Sequence, residues 1–356
     1  AKPMQPLPLV DCHLDLAENV TLFGRKLTSN LEVIRNLEHR TSNQAMVTLP
    51  ELERGNIAVV IATVTGGFKA EDVGKDFQPA TAIYHTQEEA EAQALSQIDL
   101  YETWEKQNYI RIIKSVADLE HHLELWRDDK KPGVVLLMEG ADPIMNVRDL
   151  PKWWKRGLRM IGLTFGDTKY GAGVAGGSTT FKTGGLTHEG FALLENMAEL
   201  GFIWDISHLT EEGVWQGLEL KFPRVCASHA NARALTPTNR HLSDDVIRAV
   251  AGRDGVIGLV LYNGFLEPRW RKDKTIPVTL AQVRKHAEYI ASLTSWNHIG
   301  IGSDLDGGFG LEESPQGLTS IADLYKIGEV VPESAREAVL SSNWLKFLRR
   351  SLPPSL

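Results

Sequence analysis

The chain holds two cysteines, no long hydrophobic run and fewer positive than negative charges, and each shortage excludes something. Cys12 and Cys226 each lie inside an apolar run, so no disulfide framework is indicated and buried free thiols are expected. No stretch approaches the roughly 20 apolar residues of a membrane-spanning helix. The start, AKPMQPLPLV, lacks the basic segment and apolar core of a signal peptide, and the end, SLPPSL, lacks the tail of a lipid-anchor signal. A cytoplasmic location is therefore the expectation. Lys and Arg number 38 against 46 Asp and Glu, a formal net charge of -8, so neither nucleic acid nor an anionic membrane is the expected partner. Charge runs are short and mixed in sign, as from Arg127 to Lys131, and read as solvated loop. Gly66, Gly67 and the glycines from Gly171 to Gly185 lack phosphate-loop spacing and read as rim loops.

What is present is a regular alternation. With 356 residues, 42% of them hydrophobic, the chain can bury a sizeable core, and no composition break or repeat divides it, so 1–356 reads as one domain. Short, nearly unbroken apolar runs begin at Leu7, Ile57, Val134, Met160, Phe202, Arg224, Val256 and Ile299, as buried parallel strands do. A further run from Tyr109 reads as an accessory strand. Helical stretches are expected over Gln87–Gln107, Ser115–Arg127, Gly190–Leu200, Ser243–Val250, Thr279–Leu293 and Pro332–Arg350. Eight strands with intervening helices predict an α/β fold, a (β/α)8 TIM-type barrel with its active site at the carboxyl ends of the strands. The excursion from Leu16 to Asn56 reads as rim loop.

Six potential metal ligands stand at strand ends: His13, Asp15, Glu139, His208, His229 and Asp304. His13-x-Asp15 taken alone is an ordinary strand end, although period-2 alternation points both side chains one way. Glu139 follows VVLLM, where an unpaired carboxylate is costly to bury. His208 and His229 end consecutive strands. Together they offer nitrogen and oxygen ligands suited to zinc, too many for one tetrahedral catalytic ion that keeps a water position. Two ions sharing a carboxylate account for the surplus. Two adjacent cations lower the pKa of a bridging water, so the chemistry expected is hydrolysis. Elsewhere, His85, His121, His122 and His286 read as solvated, His188 and His298 as structural, and Trp153 and Trp154 as core packing. Tyr262 and Asn263 are candidates for lining the pocket.

The motifs His13-Leu14-Asp15, Glu139-Gly140, Asp205-Ile206-Ser207-His208, Ser228-His229-Ala230-Asn231-Ala232-Arg233-Ala234 and Gly302-Ser303-Asp304-Leu305-Asp306-Gly307-Gly308 resemble, in order and spacing, those of the membrane dipeptidase (renal dipeptidase) family. Gly185-Leu186-Thr187 and Asn343-Trp344 extend the resemblance, which spans residues 8 to 348. It implies an amidohydrolase-like barrel with two Zn2+ per chain, hydrolysing dipeptides, with L-Xaa-D-Xaa among them. The first ion would take His13, Asp15 and the bridging Glu139; the second would take Glu139, His208 and His229. Asp304 would be the proton shuttle, and Arg240 would grip the substrate carboxylate. A homodimer is also implied by resemblance alone. One departure stands out: where many members have Leu-Thr-His, this chain has Leu163-Thr164-Phe165. Phe165 cannot donate a hydrogen bond to a substrate carbonyl, so the role is either lost, at a cost on the order of 3 kcal/mol, or moved to Asp167, Lys169 or Tyr170. Alternative readings are a metal-dependent amidase or lactonase acting on another carboxylated small molecule, or a metal-binding barrel without catalysis.

Overall fold

In the computed structural model, which describes residues 4–273 and 275–356, the eight expected strands are present. They are β1 Leu9–Leu14, β2 Ile57–Val64, β3 Gly133–Glu139, β4 Leu158–Gly162, β5 Ile203–Asp205, β6 Val225–Cys226, β7 Ile257–Leu259 and β8 Ile299–Ile301. All pair in parallel in the order β7-β8-β1-β2-β3-β4-β5-β6, and the bridge between Ala227 and Ile257 joins the two ends of that order. The accessory strand, Arg111–Ile112, pairs only with β3. This is a (β/α)8 TIM-type barrel.

Alternation along the strands sorts the side chains. Val59 and Ile61 of β2 and Val135 and Leu137 of β3 join Met160, Ile203, Cys12 and Cys226 in one buried cluster, while Val60, Val134 and Leu136 belong to another. Continuing the first alternation brings Thr63 and Glu139 to the same face at the carboxyl end. Both cysteines are free and buried.

Three expectations are corrected. The excursion from Leu16 to Asn56 is not loop but carries three helices, Leu16–Phe23, Leu31–Glu38 and Leu49–Arg54. It is pinned across the rim by the Asp306 carboxylate, which accepts from the Met46 and Val47 N–H groups at 2.9 and 2.8 Å. A helix at Glu211–Glu219 escapes the pattern because Gly213 and Gly217 lower its helical propensity; Gly217 is required, since a Cβ there would stand 2.2 Å from the Trp204 ring. Finally, Arg127 to Asp129 belong to the end of the helix Val116–Asp129 rather than to a loop.

The helices that the sequence placed lie within a few residues of their expected bounds, while the short helices Leu150–Lys155 and Asn263–Leu266 were not among them. The expected cap Ser115 accepts from the Asp118 N–H, and Gly201 caps its helix at φ 106°. The last expected helix is interrupted by a wide turn over Ala338–Ser342. Asn343 then donates to the Trp296 and Ile299 carbonyls and Trp344 to the Ile301 carbonyl, fastening the chain's end to β8.

Candidate metal centre and substrate cavity

Strand ends deliver the six candidate ligands to one place. His13 Nε2 lies 3.4 Å from Asp15 Oδ1, 2.9 Å from Glu139 Oε2 and 3.7 Å from Asp304 Oδ1. Glu139 Oε2 is 3.4 Å from His208 Nε2 and 3.7 Å from His229 Nε2, and the last two nitrogens are 3.2 Å apart. Two ligands on one tetrahedral zinc, each about 2.0–2.1 Å from the ion, stand about 3.3 Å apart. The spacing is compatible with a shared metal. His13 Nε2 and Glu139 Oε2 are moreover buried without a properly directed hydrogen bond, which is costly unless something else occupies the space between these groups.

The electrostatics agree. Burial works against a charged His13, but Glu139 and Asp15 overcome it and raise its pKa well above the usual value. Burial also opposes charge on Glu139, yet His13 and His208 hold its carboxyl below the usual range. His208 and His229 are lowered, by burial first and by Arg240 and His13 respectively. Asp304 is pushed up by burial and by the charge of Asp15. A site that keeps a proton on one histidine to balance its carboxylates has a place for cations, which would favour the ionised form of every acid there.

Partners outside the cluster aim these groups. Asp15 Oδ1 accepts from Thr63 Oγ1 at 2.6 Å, and the ring nitrogen Nδ1 of His208 meets the Val174 carbonyl at 2.8 Å. Ser228 Oγ lies 3.2 Å from His13 Nδ1 and 2.8 Å from His229 Nδ1, and donates to Asp205 Oδ2 at 2.5 Å. His208 and Asp304 adopt positive φ, 68° and 57°, the left-handed region that His and Asp enter more readily than most non-glycine residues.

The cluster forms the floor of a cavity of about 290 Å³, walled by Phe165, Tyr262, Phe265 and Phe309, with Lys272 and Glu313 paired at 2.9 Å along it. Arg240 also lines it. Its side chain is buried, Nη2 donates to the His229 carbonyl at 3.1 Å, and Nε and Nη1 have no partner. Asn263 is buried but does not line this cavity.

Phe165 packs on His208 with ring centroids 4.8 Å apart and edge-on to Phe68. None of the three proposed substitutes for a donor there is free. Tyr170 donates to the Ile144 carbonyl, Lys169 to the Met145 carbonyl, and Asp167 is held by Lys182 and the Gly173 N–H.

Two histidines read as solvated are buried. His122 lies between the Ala58 carbonyl and the Arg111 side chain, and His286 accepts from the Ala232 N–H. His85 and His121 are exposed, as expected. Trp153 is buried, and Trp154 packs on Phe202 and Arg159.

Sequence reading missed the Val174 carbonyl, Thr63, the Ser228 and Asp205 pair, and Glu18, whose carboxyl is raised by burial and by Asp15. Thr63 carried a signal in the alternation along β2, and Asp205 and Ser228 in the resemblance motifs that contain them. The others meet the site through contacts between distant segments.

Known proteins resemble this chain in sequence and in fold. The chain is 31% identical over 251 residues to an uncharacterized protein of the pqqA 5' region of Klebsiella pneumoniae, covering 67% of this chain and 88% of that one. A Rhodobacter sphaeroides metallo peptidase, solved with a phosphinate mimic of the dipeptide L-Ala-D-Ala, superimposes with a TM-score of 0.76 at 22% identity, covering 97% of this chain and 99% of that one. The probable dipeptidase PvdM of Pseudomonas aeruginosa gives 0.77 at 17% identity, with 97% and 96% covered. Residues 2–350 match the membrane dipeptidase family, peptidase family M19, and with its barrel and its cluster of His, Asp and Glu at the strand ends, this chain belongs to that family.

Proposed function

We propose that the whole chain, 1–356, acts as one dinuclear zinc dipeptidase. His13, Asp15 and Glu139 would hold one ion, and Glu139, His208 and His229 the other. Bound there, zinc supplies Lewis acidity and lowers the pKa of coordinated water. The chain's own residues do the rest. Arg240 binds the substrate's terminal carboxylate, Phe165, Tyr262 and the neighbouring rings exclude water from the scissile bond, and Asp304 takes a proton from the attacking water and returns it to the leaving amine.

The observation that carries this reading is Arg240, a buried guanidinium with two unpartnered nitrogens on a cavity it shares with the metal cluster. Such a donor fork asks for a carboxylate, and a cavity of about 290 Å³ admits only a small substrate, at the lower end of the usual range. The ligand of the Rhodobacter sphaeroides relative supports L-Xaa-D-Xaa dipeptides among the substrates.

The test is a screen of L-L and L-D dipeptides with zinc-loaded protein. Turnover is expected for free-carboxylate dipeptides, with two zinc per chain, and the same assay on Asp304→Asn should show none. Absence of turnover on every dipeptide would shift the reading to an amidase or lactonase of another small carboxylate. That second reading is favoured by one observation, the lack of a side-chain donor at Phe165.

A further inference from the structure

We infer that Asp205 and Ser228 form a single positioning unit that sets the ring tautomer of His13 and His229 together, so that one hydroxyl prepares both metal positions. The inference rests on the reading of these histidines as metal ligands.

A serine hydroxyl has one proton and two lone pairs. Asp205 Oδ2, at 2.5 Å, takes the proton of Ser228. Asp205 Oδ1 accepts from the backbone N–H groups of Ser228 and Ser207 at 2.8 and 3.1 Å, so the carboxylate is fixed in place as an acceptor. Ser207 Oγ lies farther from the hydroxyl, at 3.4 Å, and cannot compete for its proton. The lone pairs that remain face His13 Nδ1 and His229 Nδ1. Each ring must then carry a proton on Nδ1, which leaves the Nε2 lone pair of His229 directed at the cluster, and that of His13 as well once cations replace the proton that its carboxylate neighbours hold there. The two rings are stacked 3.5 Å apart at 24°, as a shared anchor requires. His208 stands outside this unit, since the Val174 carbonyl sets its tautomer.

A similar bracket recurs where β1 meets β8, with no histidine ring on its hydroxyl. Asp11 Oδ1 accepts from the Ser303 and His13 N–H groups at 2.9 and 3.2 Å and Oδ2 from Ser303 Oγ at 2.5 Å, and Ser303 precedes Asp304 as Ser228 precedes His229. Asp11→Asn therefore serves as a control for losing a buried carboxylate of the same kind.

Asp205→Asn keeps an acceptor for the backbone N–H groups but presents an NH2 group to Ser228 Oγ. The hydroxyl must then accept from Asn and turn its own proton towards His229, the nearer ring, driving that ring's proton to Nε2, where metal binds. The experiment is ring-nitrogen NMR on metal-free protein labelled in histidine, together with zinc affinity from competition with a chromophoric chelator. In Asp205→Asn, His229 should change from the Nδ1–H to the Nε2–H form while His208 does not. Affinity for the zinc ion that His229 would hold should fall by about 10- to 100-fold, with Ser228→Thr close to wild type. An unchanged His229 tautomer in Asp205→Asn, unchanged affinity for both ions, or an equal effect from Asp11→Asn on the His229 ring would overturn the inference. Wild-type protein that takes up no zinc would instead overturn the metal reading, and the tautomer measurement would stand apart from it.

Discussion

At the scale of single residues, the site is a balance of charges that no one side chain could keep alone. His13 and Glu139 are stable in the interior only because each faces the other, and cations placed among them would substitute for the proton that the carboxylates now hold on His13. Arg240 is the counterpart on the substrate side. Its one bonded nitrogen orients the guanidinium while two others stay open. Arg240→Lys keeps the charge but loses the planar fork. Steady-state kinetics on a turned-over dipeptide should show KM raised by about 10- to 100-fold, corresponding to about 1.5–3 kcal/mol for a charged hydrogen bond, with kcat changed much less. A KM within twofold of wild type would remove Arg240 from carboxylate recognition.

At the scale of elements, short strands work because their neighbours are fitted to them. β8 is three residues long, yet it carries Asp304 and is clamped from behind by Asn343 and Trp344. Gly300 makes that clamp possible, since a Cβ there would stand 2.2 Å from Trp344 Nε1. Gly300→Ala should cost about 1–3 kcal/mol of stability through overpacking, measured by urea denaturation. Pairing it with Trp344→Phe, which removes the clashing nitrogen, should cost less than the two changes summed; strict additivity would show that the contact is not the cause. The resemblance motif Asn343-Trp344 thus has a packing role, which sequence could name but not explain. The first rim excursion and the helix Glu211–Glu219 were illegible for a related reason. Their helices are held by contacts such as Asp306 with Met46 and Trp204 with Gly217, which connect segments far apart in the chain.

At the scale of the whole molecule, stability should depend on pH through buried groups other than the candidate ligands. Burial lowers His122 and His286 from 6.5 to about 4, and His122 accepts from the Arg111 side chain, which leaves no room for a second ring proton. As pH falls from 6.5 towards 4, the unfolded chain takes up protons that the folded chain refuses. Each ring's contribution is therefore full above about 6.5 and lost on acidification, about 3 kcal/mol per ring. Asp306, raised by burial from 3.8 to about 6, acts with the opposite sign and loses its contribution as pH rises through that window, so it offsets roughly one ring. Urea unfolding at pH 7 and pH 4.5 should show His122→Gln losing less stability than wild type between the two. An identical loss would mean that this ring does not titrate as its burial requires.

The sequence by itself determined the number and order of the barrel strands, and through period-2 and strand-end position it determined which His, Asp and Glu could meet. Those are local consequences of side-chain alternation and burial, and the chain writes them out residue by residue. Tertiary structure decided what surrounds the ligands: that Val174 and Ser228 orient the rings, that Phe165 seals its wall with no substitute donor, and that His122 and His286 are buried. Those outcomes depend on which distant segments come within a hydrogen bond of one another, and only barrel closure fixes that.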